Sequence, residues 1–461
     1  MIKYKSDYFF HFLKIKKTIK SYLPIQPHKV SMPGSNKSIH CVRYIIVFLC
    51  ILFFYCDLIF AQSVDSVYSK DTRADNKTKL YRNIQNNAII KNLSLPLTDS
   101  SEENWMDAFW GMELIRYKTP WADSRIYTAF DGIEKRGIPF KRAQLELVFT
   151  NYSFEFTKQV TQLMYTAETD KIFAMCAEYL MKVKPELKSA VAAILVKKLA
   201  LNKDAPILNQ LDFRMNDVPG KNRMPDIKAL LHHPFFENAT IVFSFQRRNR
   251  NYPGLVILRD SVGNFVNDIY GSIFSVPQLA RSITDLPGYL TNGNTPQGIF
   301  RMFGTDVSRS NFIGPTPNIQ LTMPFETSLQ HFMNDSFMTD TSWTTDWYKK
   351  LLPESWNNYY PIYGSFYAGK AGRTEIISHG TTINPDYYRG QPYYPLTPSL
   401  GCLCTKEIWD EADGRRIISD QQKLVSALLK AGGANGYVIV IELNDEQRPV
   451  EINDVLSLLS K

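Results

Sequence analysis

The sequence predicts an α+β chain of more than one domain: an N-terminal α-helical domain followed by a mainly β domain with a few helices. Apolar residues recur at helical spacing from Trp105 to about residue 230, and near residue 238 they give way to short β-branched and aromatic runs between Gly- and Pro-containing turns. With 461 residues, 44% of them hydrophobic and 13% aromatic, the chain can fill two or three cores.

At the start, residues 42–60 (VRYIIVFLCILFFYCDLIF) are nearly all apolar, follow a basic stretch and precede Ala61-Gln62-Ser63, the order of an export signal cleaved after Ala61. Left uncleaved, the same segment is long enough to anchor the chain in a membrane, against which Asp57 counts. Met32 is an alternative start within the long basic lead. The first 61 residues hold nine of the 53 Lys and Arg and two of the 45 Asp and Glu, so the remainder carries 44 basic and 43 acidic residues. A near-neutral mature chain gives no electrostatic footprint for nucleic acid. Cys41, Cys50 and Cys56 leave with the signal, and the odd set Cys176, Cys402 and Cys404 does not make a disulfide scaffold.

Residues 62–100 are rich in Ser, Asn, Asp and Lys and read as a flexible leader. The helical domain is expected over 101–235. Its clearest stripe is Ile172, Met175, Cys176, Tyr179, Leu180 and Val183, stopped by Pro185, which makes Cys176 a core residue. His232 and His233 precede Pro234 at a helix end, and His331 is isolated, so neither suggests a metal. Strands are expected at 239–245, 254–260 and 265–271, within a second domain over 236–461. Residues 327–373, rich in Trp and Tyr, read as an insertion that serves either as a lid or as extra packing. After Cys402 a short helix is expected from Thr405 or Lys406. A capped helix follows from Ser419 to about Ala431, then a buried strand over 437–443 and a last helix from about Asn453.

The stretch with chemistry in it is 374–409. Ser378-His379-Gly380 is followed, across a Tyr- and Pro-rich loop, by Ser399-Leu400-Gly401-Cys402. A thiol attacks as its thiolate, and a histidine within reach supplies the base. A glycine beside it lets backbone N–H groups approach a developing oxyanion. This ordered set resembles the motif of the L,D-transpeptidase family, and Asn294-Thr295-Pro296-Gln297-Gly298-Ile299-Phe300 resembles that family's Thr-Pro-x-Gly-x-Phe segment. Together with Met323-Pro324-Phe325-Glu326, the resemblance spans about 238–445. Two departures are a longer His-to-Cys loop and Cys404 where the family has Arg or Asn.

What the resemblance implies is an exported cysteine acyltransferase acting on peptidoglycan stem tetrapeptides through a Cys402 thioester. His379 would be the base, Ser399 would orient the loop, and the Gly401 and Cys402 amides would hold the oxyanion. Phe325, Gly380 and Thr381 would contact substrate, and carbapenems would acylate Cys402. Water as acceptor would make the same site an L,D-carboxypeptidase, and loss of chemistry would leave a cell-envelope binding protein. No cofactor and no metal are called for, since Cys402, Cys404 and His379 lack a fourth zinc ligand. The expected location is the periplasm or cell envelope, and the helical domain would serve a partner the sequence does not name.

Overall fold

Runs of β-branched and aromatic residues build one mixed sheet around which the rest of the chain packs. A computed structural model describes residues 67–217, 223–234 and 238–460. The export-signal reading of residues 1–61 lies outside the described residues, among which no helix is long and apolar enough to cross a membrane.

The helical part comprises α1 (Ala74–Asn83), α2 (Glu102–Leu114), α3 (Pro120–Phe130), α4 (Ile138–Asn151), α5 (Thr157–Thr166), α6 (Asp170–Val183), α7 (Lys188–Leu201), α8 (Pro206–Asn216) and α9 (Ile227–Leu231). Helix starts follow local chemistry. Thr119 caps α3 by accepting from the Ala122 N–H, with Pro120 at the first helical position, and Thr169 caps α6 by accepting from Ile172. The apolar stripe of α6, Cys176 included, is buried from Ile172 to Leu180 as its spacing predicts, and only Val183 at its end is half-buried.

The leader reading of 62–100 needs correction from Val67 onward. After α1, Ile84–Lys91 continues as a π-helical turn, and Ile84, Ile89 and Leu93 are wholly buried. The polar composition hid them because these apolar side chains are few and spaced by Asn and Lys. The segment is also tied to the far end of the chain, where Ser69 N–H donates to Gly414 O at 2.9 Å.

Ten strands follow among the described residues: β1 (Thr240–Gln246), β2 (Gly254–Arg259), β3 (Ser275–Gln278), β4 (Gly298–Asp306), β5 (Asn318–Thr322), β6 (Ile377–His379), β7 (Leu403–Cys404), β8 (Glu407–Trp409), β9 (Arg416–Ser419) and β10 (Asn435–Glu442). The main sheet has the order β3-β2-β1-β10-β4-β5-β6-β7, and β8 pairs with β9 apart from it. β1 runs parallel to β10 and β6 parallel to β7, while the remaining neighbours are antiparallel. The two edges then meet: Leu279, just after β3, exchanges backbone hydrogen bonds of 2.7 and 2.8 Å with Cys404 in β7. The sheet is thus nearly closed into a barrel, and closure leaves its edge strands protected.

Both faces of β1 and β10 are buried, one against Trp356 and its neighbours and the other against Leu424 and Leu428 of α10 (Asp420–Lys430). α10 starts at Ser419, whose Oγ accepts from Gln422 N–H, and α11 (Ile452–Leu459) forms the helix expected from about Asn453. Residues 327–373 are packing: Phe332, Tyr348, Trp356, Ile362 and Phe366 are core side chains, each contributing roughly 1.5–3 kcal/mol by burial.

Two expected elements are absent. The stretch 265–271 forms bridges only, because Asp268 turns the chain by accepting from the Tyr270 and Ser272 N–H groups. In place of a helix from Thr405, the chain makes the β8–β9 hairpin, held by Glu407 and Arg416 buried side by side at 3.9 Å.

The change from helix to strand falls between Leu231 and Thr240, yet Val67–Lys461 forms one compact unit. Loops of the sheet part reach into the helices. Tyr289 donates to Glu178 at 2.8 Å, Asn292 to Glu146 at 3.0 Å, and Tyr388 to the Leu114 carbonyl at 3.1 Å.

Candidate active site

The seam where the sheet closes is where the sequence motif sits. β6 delivers His379 and β7 follows directly on Cys402, with Ser378 paired to Leu403 and His379 to Cys404. Leu403 packs into the core, so Cys402 and Cys404 leave the strand on its other face, the face that also carries Ile377 and His379. His379 and Cys402 are therefore diagonal neighbours, with about 7–8 Å between Cα atoms in such pairs, a span that long and aromatic side chains cross. Among the described residues no hydrogen bond joins the two.

Ser399 fixes the turn that carries the thiol. Its Oγ accepts from Gly401 N–H at 3.1 Å and donates to the Cys402 carbonyl at 3.0 Å. Gly401 sits at φ +112°, and a Cβ there would lie 2.1 Å from Arg373 Nη2 and 2.4 Å from the Gly293 oxygen. Glycine is required both for its backbone angle and for space. One expectation changes here: the Gly401 N–H is spent on Ser399 and does not face an oxyanion. Among the described residues the Cys402 N–H has no backbone acceptor.

Cys402 Sγ accepts from the Ile377 N–H and donates to the Glu375 carbonyl, both at 3.5 Å. Burial pushes the Cys402 thiol up to about 11, against the Ile377 N–H and the Arg373 guanidinium, with Glu375 and Glu326 adding to the rise. At neutral pH the sulfur is a thiol, so attack requires a base.

Arg373 is the cation of the site. Its Nη1 donates to the Gly288 and Asn294 carbonyls, the latter at 2.7 Å, and Nη2 donates to Gly293 at 2.6 Å and Gly401 at 3.4 Å. Burial pulls its pKa down to about 10, so it stays charged at pH 7. Thr295 of the Thr-Pro segment completes the support, donating to the Gly401 carbonyl at 2.9 Å.

His379 is buried, and its Nδ1 lies against the Gly380 carbonyl. A carbonyl can only accept, so Nδ1 carries the proton and Nε2 is the basic nitrogen. Burial holds the imidazole below its ordinary pKa, which keeps it neutral and able to take a proton at pH 7.

The expected substrate contacts at Gly380 and Thr381 are corrected. A Cβ on Gly380 would lie 2.3 Å from the Glu407 side chain, and Thr381 donates its N–H to Glu407 at 3.0 Å while its hydroxyl accepts from Thr397 at 2.9 Å. Their polar atoms are held inside the fold, where Glu407 also accepts from Thr316 and Ser419 at 2.5 and 2.6 Å. Gly380 acts through its carbonyl, by holding His379. Phe325 is 37% exposed at φ +67°, against the rings of Phe366 and Trp343, and remains available to a ligand beside Glu326.

Cys176 and Cys404 are buried, and burial raises both thiols far above the ordinary range. Cys404 Sγ turns towards Thr397 and the Thr405 carbonyl. Among the described residues no three His, Cys, Asp or Glu side chains gather as a metal site.

Arg373, Glu326 and Glu375 escaped the sequence reading. Arg373 stands in Gly372-Arg373-Thr374 with no motif around it, and its four carbonyl partners come from distant turns. Glu326 lay in the quoted Met-Pro-Phe-Glu stretch, the one available signal; its carboxylate accepts from Met323 and Glu375 N–H at 2.9 and 2.7 Å. Compared with models of known protein families, with curated proteins and with solved structures, the chain matches none.

Proposed function

We propose that the chain is an exported cysteine acyltransferase that acts on peptidoglycan stem tetrapeptides, with Cys402 as nucleophile and His379 as base. One observation carries the reading: of the three cysteines in the described residues Cys402 alone is partly exposed, and it shares a sheet face with an imidazole whose basic nitrogen is Nε2. The resemblance to L,D-transpeptidases supplies the substrate class.

In the reaction, His379 takes the thiol proton as Sγ bonds to the carbonyl carbon of the third stem residue. The Cys402 N–H stabilises the oxyanion, and Arg373 favours negative charge at the sulfur. Collapse breaks the bond to the fourth residue, whose amine leaves with the proton from His379, and a thioester remains. An amine of another stem, or water, then attacks the thioester, and Sγ departs as the thiol.

Incubation of the purified chain with tetrapeptide stems tests this. Cross-linked dimers are expected from transfer to an amine, tripeptides from transfer to water, and neither from Cys402→Ala. Unchanged stems with folded wild-type protein would instead support a binding protein.

A further inference from the structure

Phe325 and Glu375, on either side of the Glu326 carboxylate, both adopt the left-handed backbone conformation without being glycine, at φ +67° and +66°. A side chain makes that conformation costly, so each needs something to hold it. Glu326 joins the two. Its Oε2 turns back to accept from the Met323 N–H at 2.9 Å, and its Oε1 reaches across 49 positions to accept from the Glu375 N–H at 2.7 Å.

The backbone of Glu375 carries the consequence to the sulfur. Cys402 Sγ donates to the Glu375 carbonyl at 3.5 Å, and two residues on, the Ile377 N–H donates to the same sulfur at 3.5 Å. One short segment thus grips the thiol from two sides. A carbonyl can only accept, so the thiol proton points at Glu375. The charged groups that face the sulfur act in two directions: Arg373 favours the thiolate, while Glu375 and Glu326 favour the thiol.

We propose that Glu326 is a positioning residue for the nucleophile: its carboxylate fixes Glu375 in the left-handed conformation, and the Glu375 carbonyl thereby holds the proton on Cys402 between turnovers. The arrangement has a use at a cysteine that is partly exposed, since thiolates are alkylated and oxidised far faster than thiols. Cys402 stays protonated until His379 takes the proton. This purpose rests on the acyltransfer reading, whereas the test below uses no acyl transfer.

Glu326→Gln keeps the size of the side chain and leaves one acceptor oxygen in place of two. The first readout is the infrared S–H stretching band of Cys402 in the whole chain, assigned by its loss in Cys402→Ala. In Glu326→Gln it is expected to move to higher wavenumber, as an S–H that loses its acceptor does. Adding Glu375→Gly to that variant should return the band towards its wild-type position, because glycine takes a positive φ without being held. The second readout is alkylation by iodoacetamide at pH 8, in which the thiolate displaces iodide and peptide mapping locates the adduct. Cys402 is expected to react about threefold faster or more in Glu326→Gln. A band that does not move, a band that stays shifted after Glu375→Gly, or alkylation no faster than wild type would each overturn the proposal. Failure to transfer stem peptides would count against the acyltransfer reading and would leave both readouts as predicted.

Discussion

His379→Ala is expected to slow acylation of Cys402 about 100- to 10,000-fold at pH 7, the usual contribution of a general base. The shape of the pH profile distinguishes a base from a structural residue. In the wild type the rate needs neutral His379, whose pKa burial holds below the ordinary 6.5. The rate should therefore be flat from pH 7 to 9 and fall as His379 protonates at lower pH. Without the imidazole only pre-formed thiolate reacts, and the Cys402 thiol titrates at about 11. The variant's rate should then climb about tenfold per pH unit up to that value, and added imidazole should restore part of it at neutral pH. Acylation followed by mass spectrometry from pH 5 to 10 measures both curves. Parallel profiles for wild type and variant would remove His379 from the chemistry.

Arg373→Met should cost about 3–5 kcal/mol, because the guanidinium joins four backbone carbonyls, and those of Gly288, Gly293 and Asn294 would lose their donor inside the fold while Gly401 keeps Thr295. For the 461-residue chain that corresponds to a fall in melting temperature of roughly 3–5 °C, from an unfolding entropy near 2 cal/mol/K per residue. The same change withdraws positive charge from Cys402, so residual acylation should shift to higher pH. Calorimetry reads the first effect and the acylation profile the second. A variant that melts within 1 °C of wild type would show that these carbonyls find water or other donors and that Arg373 is not the clasp of the turn.

The parts of the fold with strong local signals were legible in the sequence. The α6 stripe, the Ser419 cap and the uninterrupted apolar run of β10 each state their structure within a dozen residues. Weak or competing signals misled. Ile84 and Ile89 are buried within a polar stretch, and the Asp268 turn interrupts residues of high β propensity. The β8–β9 hairpin depends on Glu407 meeting Thr316, Thr381 and Ser419, partners that only the folded chain assembles.

At the site, His379, Ser399, Gly401 and Cys402 could be picked out because a motif orders them along the chain. What the motif does not encode is who spends which hydrogen bond. Ser399 takes the Gly401 N–H that the motif offers to an oxyanion, and the Gly380 carbonyl holds the imidazole where the motif implies a substrate contact. Arg373 shows the general difficulty, since its four acceptors are separated from it by 28 to 85 positions.

Whether Cys402 is a nucleophile is tested most directly by intact-protein mass spectrometry after exposure to a carbapenem, with peptide mapping of the adduct. The lactam carbonyl would be attacked as a stem carbonyl is, leaving a stable thioester on sulfur. One carbapenem mass per chain, on Cys402, lost in Cys402→Ala and retained in Cys176→Ala, is the expected result. A folded protein that takes up no adduct, or takes it up on a residue other than Cys402, would contradict the account.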